Sequence, residues 1–368
     1  MKNQIFKLFV YNRINTKIYF LCLINITLIY LLLLSFIKEK STKKVGIVGV
    51  RHEANIGNNL IKYAISIKLT ELGYIPYIIG TVWDLFNNIE FINQTTNLVI
   101  IKKNFSEIKR NDYDILMVNS DQTWVKFDQH FYDYGFLKFA EKWNIPKIIY
   151  GASLGYDDWL FSKEDEKIAK MLLPKFLGIS VREKGSIELI EKHLDVKPEF
   201  VLDPTFLINK KYYLDLIQDF QSNISYKYIF VYNIGDANYI INSMKNARKE
   251  LNMKAYYFPL NNNSQVPDFL YYIINSEAVI TNSYHGTVFS IIFNKPFLTI
   301  YNKKIARERY ISLGKLFNVS ERMIENTAQI NYRLLTEPLN IDYNLLNELR
   351  EISINFLKKN LDKCKAFK

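Results

Sequence analysis

The sequence predicts an α/β protein made of two Rossmann-like domains, each built on its own parallel sheet. A chain of 368 residues, 49% of them hydrophobic, is too long for one ordinary core and suits two. Short apolar runs alternate with amphipathic helical segments, which is the pattern of strand–helix–strand units. The second half of the chain repeats the pattern of the first.

The first strand–helix–strand unit begins directly after Lys43 and Lys44. The apolar run 45–50 predicts a strand, and the stretch 59–72 predicts an amphipathic helix that Gly73 closes. Asp203-Pro204 marks an element boundary, because proline disfavours helix at the residue before it. We therefore place the first domain at 44–205. Its further strands are predicted at 77–79, 114–118, 147–150, 177–181 and 200–202.

The second half shows the same alternation and is predicted to form the second domain, 206–335. Strands are expected at 228–232, 255–258, 278–281 and 297–300, with a helix at 268–275. The stretch 340–360 predicts an amphipathic helix within a C-terminal segment, 336–368.

An uncharged segment of 20 residues, Ile18–Ile37, lies near the N-terminus. Its length suits a helix that crosses the core of a bilayer, so the tail 1–43 is predicted to be a membrane anchor. A buried helix and an incorrectly assigned start codon are the alternatives. Residues 1–44 hold eight basic residues against Glu39 alone, so most of the net charge of +11 lies there. A basic flank beside an apolar run indicates a membrane surface, and we expect no nucleic-acid partner.

The two cysteines predict the redox environment of the chain. Cys22 lies in the apolar segment and Cys364 near the C-terminus, so they are not expected to form a disulfide. The main body is therefore predicted to reside in a reducing compartment.

The candidate catalytic residue is His285, which follows the strand predicted at 278–281. Ser283 fits an N-cap, and His285 then opens a helix. Ligands of open α/β sheets bind at the carboxyl ends of strands, where the amides and dipole of a helix attract anions. The alternative is that His285 satisfies a buried hydrogen bond. The residues predicted to meet a phosphate or carboxylate are Ser283, His285, Gly286 and Thr287.

Two loops of the first half are further candidates for binding an anionic ligand. Asn55 and Gly57 follow the first strand, and the glycine allows a ligand to approach the backbone. The loop lacks a G-x-G-x-x-G fingerprint, so no dinucleotide is expected. Arg182 and Lys184 follow the strand 177–181, where they either hold an anionic ligand or form surface ion pairs.

The loop after the strand 114–118 is a candidate for binding a sugar. Polar groups and a tryptophan at a strand end suit a wall that faces a sugar, and an ordinary capped turn is the alternative. The residues predicted to form this wall are Ser120, Asp121, Gln122 and Trp124.

Taken in order, six segments resemble the polysaccharide pyruvyl transferase family. The most specific of them is Thr281–Ser290, which surrounds His285. The resemblance covers roughly residues 44–330. The other five segments are Asn55–Gly57, Asn119–Trp124, Tyr150–Gly155, Ser180–Lys184 and Asp203–Thr205.

The resemblance implies a GT-B-like fold and a metal-independent transferase that needs no cofactor. It implies that the enolpyruvyl group of phosphoenolpyruvate moves onto two hydroxyls of a sugar or lipid-linked oligosaccharide, giving a cyclic pyruvate ketal and phosphate. The family's histidine corresponds to His285 and its donor-binding arginine to Arg182. Because phosphoenolpyruvate is cytosolic, the catalytic body is expected at a membrane, facing the cytoplasm.

Two positions depart from the family pattern. Ser283 stands where many members carry arginine, and Asn58 stands where many carry aspartate. The first difference removes a cation from the phosphate site. The candidate replacements are Arg182, Lys184, Arg307 and Arg309.

Two other classes of protein share these sequence features. One is a nucleotide-sugar glycosyltransferase of the same architecture, and the other is a non-catalytic, membrane-tethered glycan-binding protein. The sequence does not select the acceptor sugar, and it leaves open whether His285 acts as an acid or as a base.

Overall fold

The computed structural model describes most of the chain from Lys43 onward. The anchor predicted at 18–37 lies outside the described residues. Within the described ranges, no helix has the length and apolar character needed to cross a membrane. These ranges are 43–49, 55–80, 99–102, 105–222, 224–235, 237–260, 265–302, 307–326 and 328–367.

The first sheet contains seven parallel strands in the order β3-β2-β1-β4-β5-β6-β7. Its order reverses between β1 and β4, which makes a crevice at their carboxyl ends. The strands are β1 Lys44–Val48, β2 Ile75–Gly80, β3 Val99–Lys102, β4 Ile115–Val118, β5 Lys147–Ala152, β6 Gly178–Val181 and β7 Glu199–Phe200.

The second sheet contains five parallel strands in the order β12-β11-β10-β8-β9. Strands β8, β10 and β11 are buried along their whole length, which explains why their sequences are continuous apolar runs. The order reverses between β8 and β10. The strands are β8 Tyr228–Tyr232, β9 Lys254–Tyr257, β10 Ala278–Thr281, β11 Phe297–Tyr301 and β12 Met323–Glu325.

Helices follow most of the strands. The first, α1, begins at Ile56 because the side chain of Asn55 accepts a hydrogen bond from the amide of Asn58 at 3.2 Å. The helices are α1 Ile56–Glu71, α2 Phe131–Phe136, α3 Lys163–Leu172, α4 Ser186–Leu194, α5 Lys210–Asp215, α6 Asn238–Leu251, α7 Val266–Ile274, α8 Tyr284–Ile292, α9 Arg307–Leu316 and α10 Tyr343–Ala366.

Two helices join the halves. Leu60 and Tyr63 of α1 belong to the same buried core as Phe230 and Phe269 of the second half. The C-terminal helix α10, predicted at 340–360, returns to the first half, where Leu357 packs in the core that covers β1 and β5. The two parallel-sheet halves confirm the predicted architecture, and the domain boundary at 205 stays a prediction.

Candidate active site

Helix α8 begins beside the reversal point of the second sheet, as the sequence predicts. The hydroxyl of Ser283 accepts a hydrogen bond from the amide of Gly286 at 3.3 Å, which confirms the N-cap. Within the described residues, the amides of Tyr284 and His285 have no hydrogen-bond partner. They are therefore the open donors at this helix end.

The structure corrects three of the predicted anion contacts, those of Ser283, Gly286 and Thr287. The Gly286 amide already binds Ser283, as described above. The hydroxyl of Thr287 donates to the Ser283 carbonyl at 2.9 Å, lies 2.6 Å from the Thr299 hydroxyl and is buried. Ser283, Gly286 and Thr287 thus use these polar groups inside the fold, and the open amides belong to Tyr284 and His285.

The N-terminus of α1 packs directly against the ring of His285. A Cβ atom added at Gly57 would lie 2.1 Å from Nδ1 of His285, so only glycine fits at this position. Asn55, the cap of α1, lies two residues before this contact. Two helix N-termini, each with a partial positive charge, therefore meet at the imidazole.

A buried group of four charged residues adjoins His285 through Asp203. We call it the arginine cluster, and its members are Asp121, Arg182, Glu183 and Asp203. The side chain of Arg182 is fully buried. Its Nε donates to Glu183 at 3.0 Å, and its Nη1 donates to Asp203 at 2.7 Å. Its Nη2 donates to Asp121 at 3.3 Å. Because every guanidinium nitrogen binds a carboxylate, Arg182 lacks the open face expected of a donor-binding residue.

Tyr284 and Asp203 connect this cluster to the helix end. The guanidinium of Arg182 lies 4.5 Å from the centre of the Tyr284 ring. Oδ2 of Asp203 lies 3.7 Å from Nε2 of His285, which is buried without a hydrogen-bond partner in the described residues. Burial alone would raise the pKa of Asp203, but His285 and Arg182 outweigh it and hold that pKa well below its usual range. Asp203 is therefore an ionised carboxylate beside the imidazole.

Asp121 has a strained backbone at the crevice of the first sheet. Its φ of +116° lies in the region that favours glycine. Nδ2 of Asn58 donates to Asp121 at 3.0 Å. An aspartate at position 58, which many family members carry, would place two carboxylates together here, so the amide fits this arrangement better.

Two other residues of the predicted acceptor wall, Ser120 and Trp124, are buried inside the fold. Trp124 is 1% exposed, stacks on Phe136 and donates from Nε1 to a backbone carbonyl, so its ring belongs to the core. Ser120 is buried and donates to the carbonyl of Gly151 at 2.8 Å. The structure corrects the wall accordingly, because these two side chains present no surface to a sugar. Asp121 is 5% exposed and its carboxylate binds Arg182 and Asn58, so it also presents no surface to a sugar. The half-buried Gln122 remains.

The other three candidate cations differ in their surroundings. Lys184 is exposed and its ammonium lies 5.0 Å from the centre of the Phe200 ring. Arg307 is exposed and lies 3.5 Å from Glu325. Arg309 lies 5.9 Å from the centre of the Tyr284 ring, and its Nε is buried without a partner in the described part of the chain. Arg309 is therefore the candidate with unused hydrogen-bonding capacity at the cluster.

Access to His285 is narrow among the described residues, since its side chain is 6% exposed. A pocket of about 390 Å³ lies at β12 instead, and its lining includes none of the candidate site residues. The described part of the chain also contains no group of three or more His, Cys, Asp or Glu side chains that could hold a metal ion.

We expect Arg182→Met to destabilise the protein by about 3–5 kcal/mol, because three buried carboxylates would lose their common cation. Urea denaturation measures this loss. Lys184→Met, which removes an exposed cation from the same loop, is the control and should change the free energy of unfolding by less than about 0.5 kcal/mol. An Arg182→Met protein of normal stability that only binds the donor weakly would show that Arg182 contacts the donor instead.

The two parallel sheets define an α/β protein, and its family defines it as a transferase. The family model of polysaccharide pyruvyl transferase matches residues 55–304, a range that holds most of both sheets, His285 and the whole arginine cluster. The chain belongs to the polysaccharide pyruvyl transferase family. No curated protein matches the sequence significantly.

Solved structures share the architecture. The S. aureus MnaA–UDP co-structure has 14% identity and a TM-score of 0.51, over 84% of this chain and 91% of that one. The UDP-GlcNAc 2-epimerase from Methanocaldococcus jannaschii has 14% identity and a TM-score of 0.50, over 85% of this chain and 93% of that one. Identities this low show the fold alone, and they support the GT-B-like arrangement of two parallel-sheet halves.

Proposed function

We propose that this protein transfers the enolpyruvyl group of phosphoenolpyruvate onto two hydroxyls of a sugar, in a surface polysaccharide or its lipid-linked precursor. The product is a cyclic pyruvate ketal. Family membership supports the transfer of pyruvate to a polysaccharide. The observation that carries the choice of donor is the meeting of two helix N-termini at an imidazole beside an ionised carboxylate.

The donor is small and carries two anionic groups, so it needs several positive partners. The open amides of Tyr284 and His285 and the N-terminus of α1 supply partial charges at one point. Arg309 supplies a full charge nearby, and the exposed Lys184 is a second candidate. Arg182 acts in this proposal as a positioning residue, which fixes the carboxylates and the ring of Tyr284.

His285 is the group that accepts a proton at the reacting centre. The ionised Asp203 lies beside Nε2 and stabilises the imidazolium that forms when the ring accepts a proton. A sugar hydroxyl that attacks the central carbon of the donor gives up its proton, and His285 accepts it. No metal ion or cofactor takes part in this step.

The acceptor sugar binds at the first sheet, and the protein lies at the membrane. The half-buried Gln122 lies at the crevice of the first sheet, where it suits the acceptor sugar. In this proposal residues 18–37 anchor the protein in the membrane, and the catalytic body faces the cytoplasm because its donor is cytosolic.

Protease should then digest residues 44–368 in inverted vesicles and leave them intact in right-side-out vesicles.

Ligand-dependent stability tests the choice of donor. Phosphoenolpyruvate at a hundredfold its Kd should stabilise the protein by about 2.7 kcal/mol, because it binds only the folded state. UDP and UDP-GlcNAc at equal concentrations are the comparison and should give no shift. Stabilisation by the nucleotides alone would instead favour a nucleotide-sugar glycosyltransferase. Stabilisation by a glycan alone would favour a non-catalytic binding protein.

A further inference from the structure

Glu183 is a buried carboxyl group that the proposed function does not yet use. It is 3% exposed, and its Oε1 accepts the hydrogen bond from Nε of Arg182. Its Oε2 is also buried and has no hydrogen-bond partner in the described residues. A buried carboxylate oxygen that lacks a partner is costly, and protonation removes most of that cost.

The charge balance of the arginine cluster also favours a protonated Glu183. Three carboxyl groups, all 5% exposed or less, share the single guanidinium of Arg182. The one further permanent cation that acts on these groups among the described residues is Arg309, which acts on Glu183. Close, buried carboxylates do not all ionise when there are too few cations.

The surroundings shift the pKa values of two of these carboxyl groups in opposite directions. Burial raises the pKa of Glu183, and the opposing effect of Arg182 is too small to reverse it. The pKa of Asp203 lies well below its usual range, as described above. Two neighbouring carboxyl groups whose pKa values move in opposite directions mark an acid and a permanent anion.

The position of Glu183 fits a role in the reaction. Tyr284, which carries one of the open amides, lies over Arg182 and is close enough to Glu183 to interact electrostatically with it. Three buried atoms have no partner in the described residues: Nε2 of His285, Oε2 of Glu183 and Nε of Arg309. His285 follows Tyr284 in α8, and Glu183 and Arg309 both act electrostatically on Tyr284. Buried polar groups without partners are rare in native proteins, and their concentration here indicates a ligand.

We propose that Glu183 holds a proton in the resting enzyme and donates it to the methylene carbon of the enolpyruvyl donor, while His285 acts as the base. This inference rests on the proposed function. It assigns the acid and the base of the reaction to two different side chains of one site.

The proton balance closes over the two steps. In the first step a sugar hydroxyl bonds to the central carbon, its proton goes to His285, and the methylene carbon becomes a methyl group with the proton of Glu183. In the second step the bond to phosphate breaks and the second hydroxyl attacks. The phosphate leaves with the proton from His285, and Glu183 regains a proton from the second hydroxyl.

Infrared spectroscopy of the resting protein tests the proton on Glu183 without any acceptor. The wild-type protein at neutral pH should show the carbonyl stretch of a protonated carboxylic acid, and Glu183→Gln should lose it. Glu199→Gln, which changes an exposed glutamate paired with Lys359, is the matched control and should keep the signal. A wild-type spectrum without this signal overturns the proposal, even where the glutamine variant does not fold.

Turnover tests the role of that proton. With phosphoenolpyruvate and a panel of methyl hexopyranosides, Glu183→Gln should release phosphate at least about a hundredfold more slowly than wild type. The wild-type rate should fall at high pH as Glu183 loses its proton, and the residual rate of the variant should lack this decline. An unchanged rate and pH profile would exclude Glu183 as the acid. Failure of the wild type to bind phosphoenolpyruvate would instead overturn the proposed function.

Discussion

Replacing His285 with alanine should lower the rate of phosphate release from phosphoenolpyruvate by about 10²–10⁴-fold. The imidazole is the base of the proposed reaction, and it lies between Gly57 and the ionised Asp203. Binding of phosphoenolpyruvate should change much less, because the backbone amides and Arg309 remain in the variant. Phosphate release measures the rate, and calorimetry measures the affinity.

A second histidine variant serves as the control for this experiment. His193 stacks on Trp159 at 4.5 Å and contacts Glu166, and it takes no part in the candidate site. His193→Ala should therefore keep the wild-type rate. Near-normal turnover of His285→Ala would refute the catalytic role, and a loss of donor affinity equal to the loss of rate would assign the residue to binding alone.

Gly57→Ala should lower the turnover rate by about a hundredfold, although it adds a single methyl group. The added Cβ would lie 2.1 Å from Nδ1 and 2.3 Å from Cγ of His285, so the ring must move. A displacement of about 1 Å at a reacting group can cost 10²-fold in rate. Overpacking should also lower the free energy of unfolding by about 1–3 kcal/mol.

Gly49→Ala is the matched control for this substitution. Gly49 follows β1, but a Cβ there would meet its nearest neighbours, Asn119 and Lys62, at 3.8 Å, which is ordinary contact. This variant should keep both rate and stability. If Gly57→Ala matched it in turnover, the close packing of α1 against His285 would have no part in the reaction.

The sequence predicted the elements that are buried on all sides. Strands 228–232 and 278–281 have the predicted bounds, because continuous apolar runs identify central strands of a parallel sheet. It did not predict β12, which has three half-buried residues, or the short strand β3. Strands this short give too few residues for a recognisable pattern.

Some features of the candidate site were predicted from the sequence, and others depend on tertiary packing. The start of α8 at Tyr284 and its cap at Ser283 follow from neighbouring residues, and the sequence predicted both. The tryptophan at 124 and the serine at 120 have the residue types of a sugar-binding wall, but their burial depends on packing that the local pattern does not record. Glu183 was missed as a candidate although it adjoins Arg182, because an Arg-Glu pair is also a common surface motif.

The sequence by itself determined two parallel-sheet halves, a histidine at a helix start and the transferase family, because short-range pattern and ordered motifs carry that information. Only the tertiary structure decided that Gly57 contacts His285 and that Arg182 is shared by three carboxyl groups. Contacts and pKa values of this kind depend on distance and burial, and the groups that set them come from segments far apart in the chain.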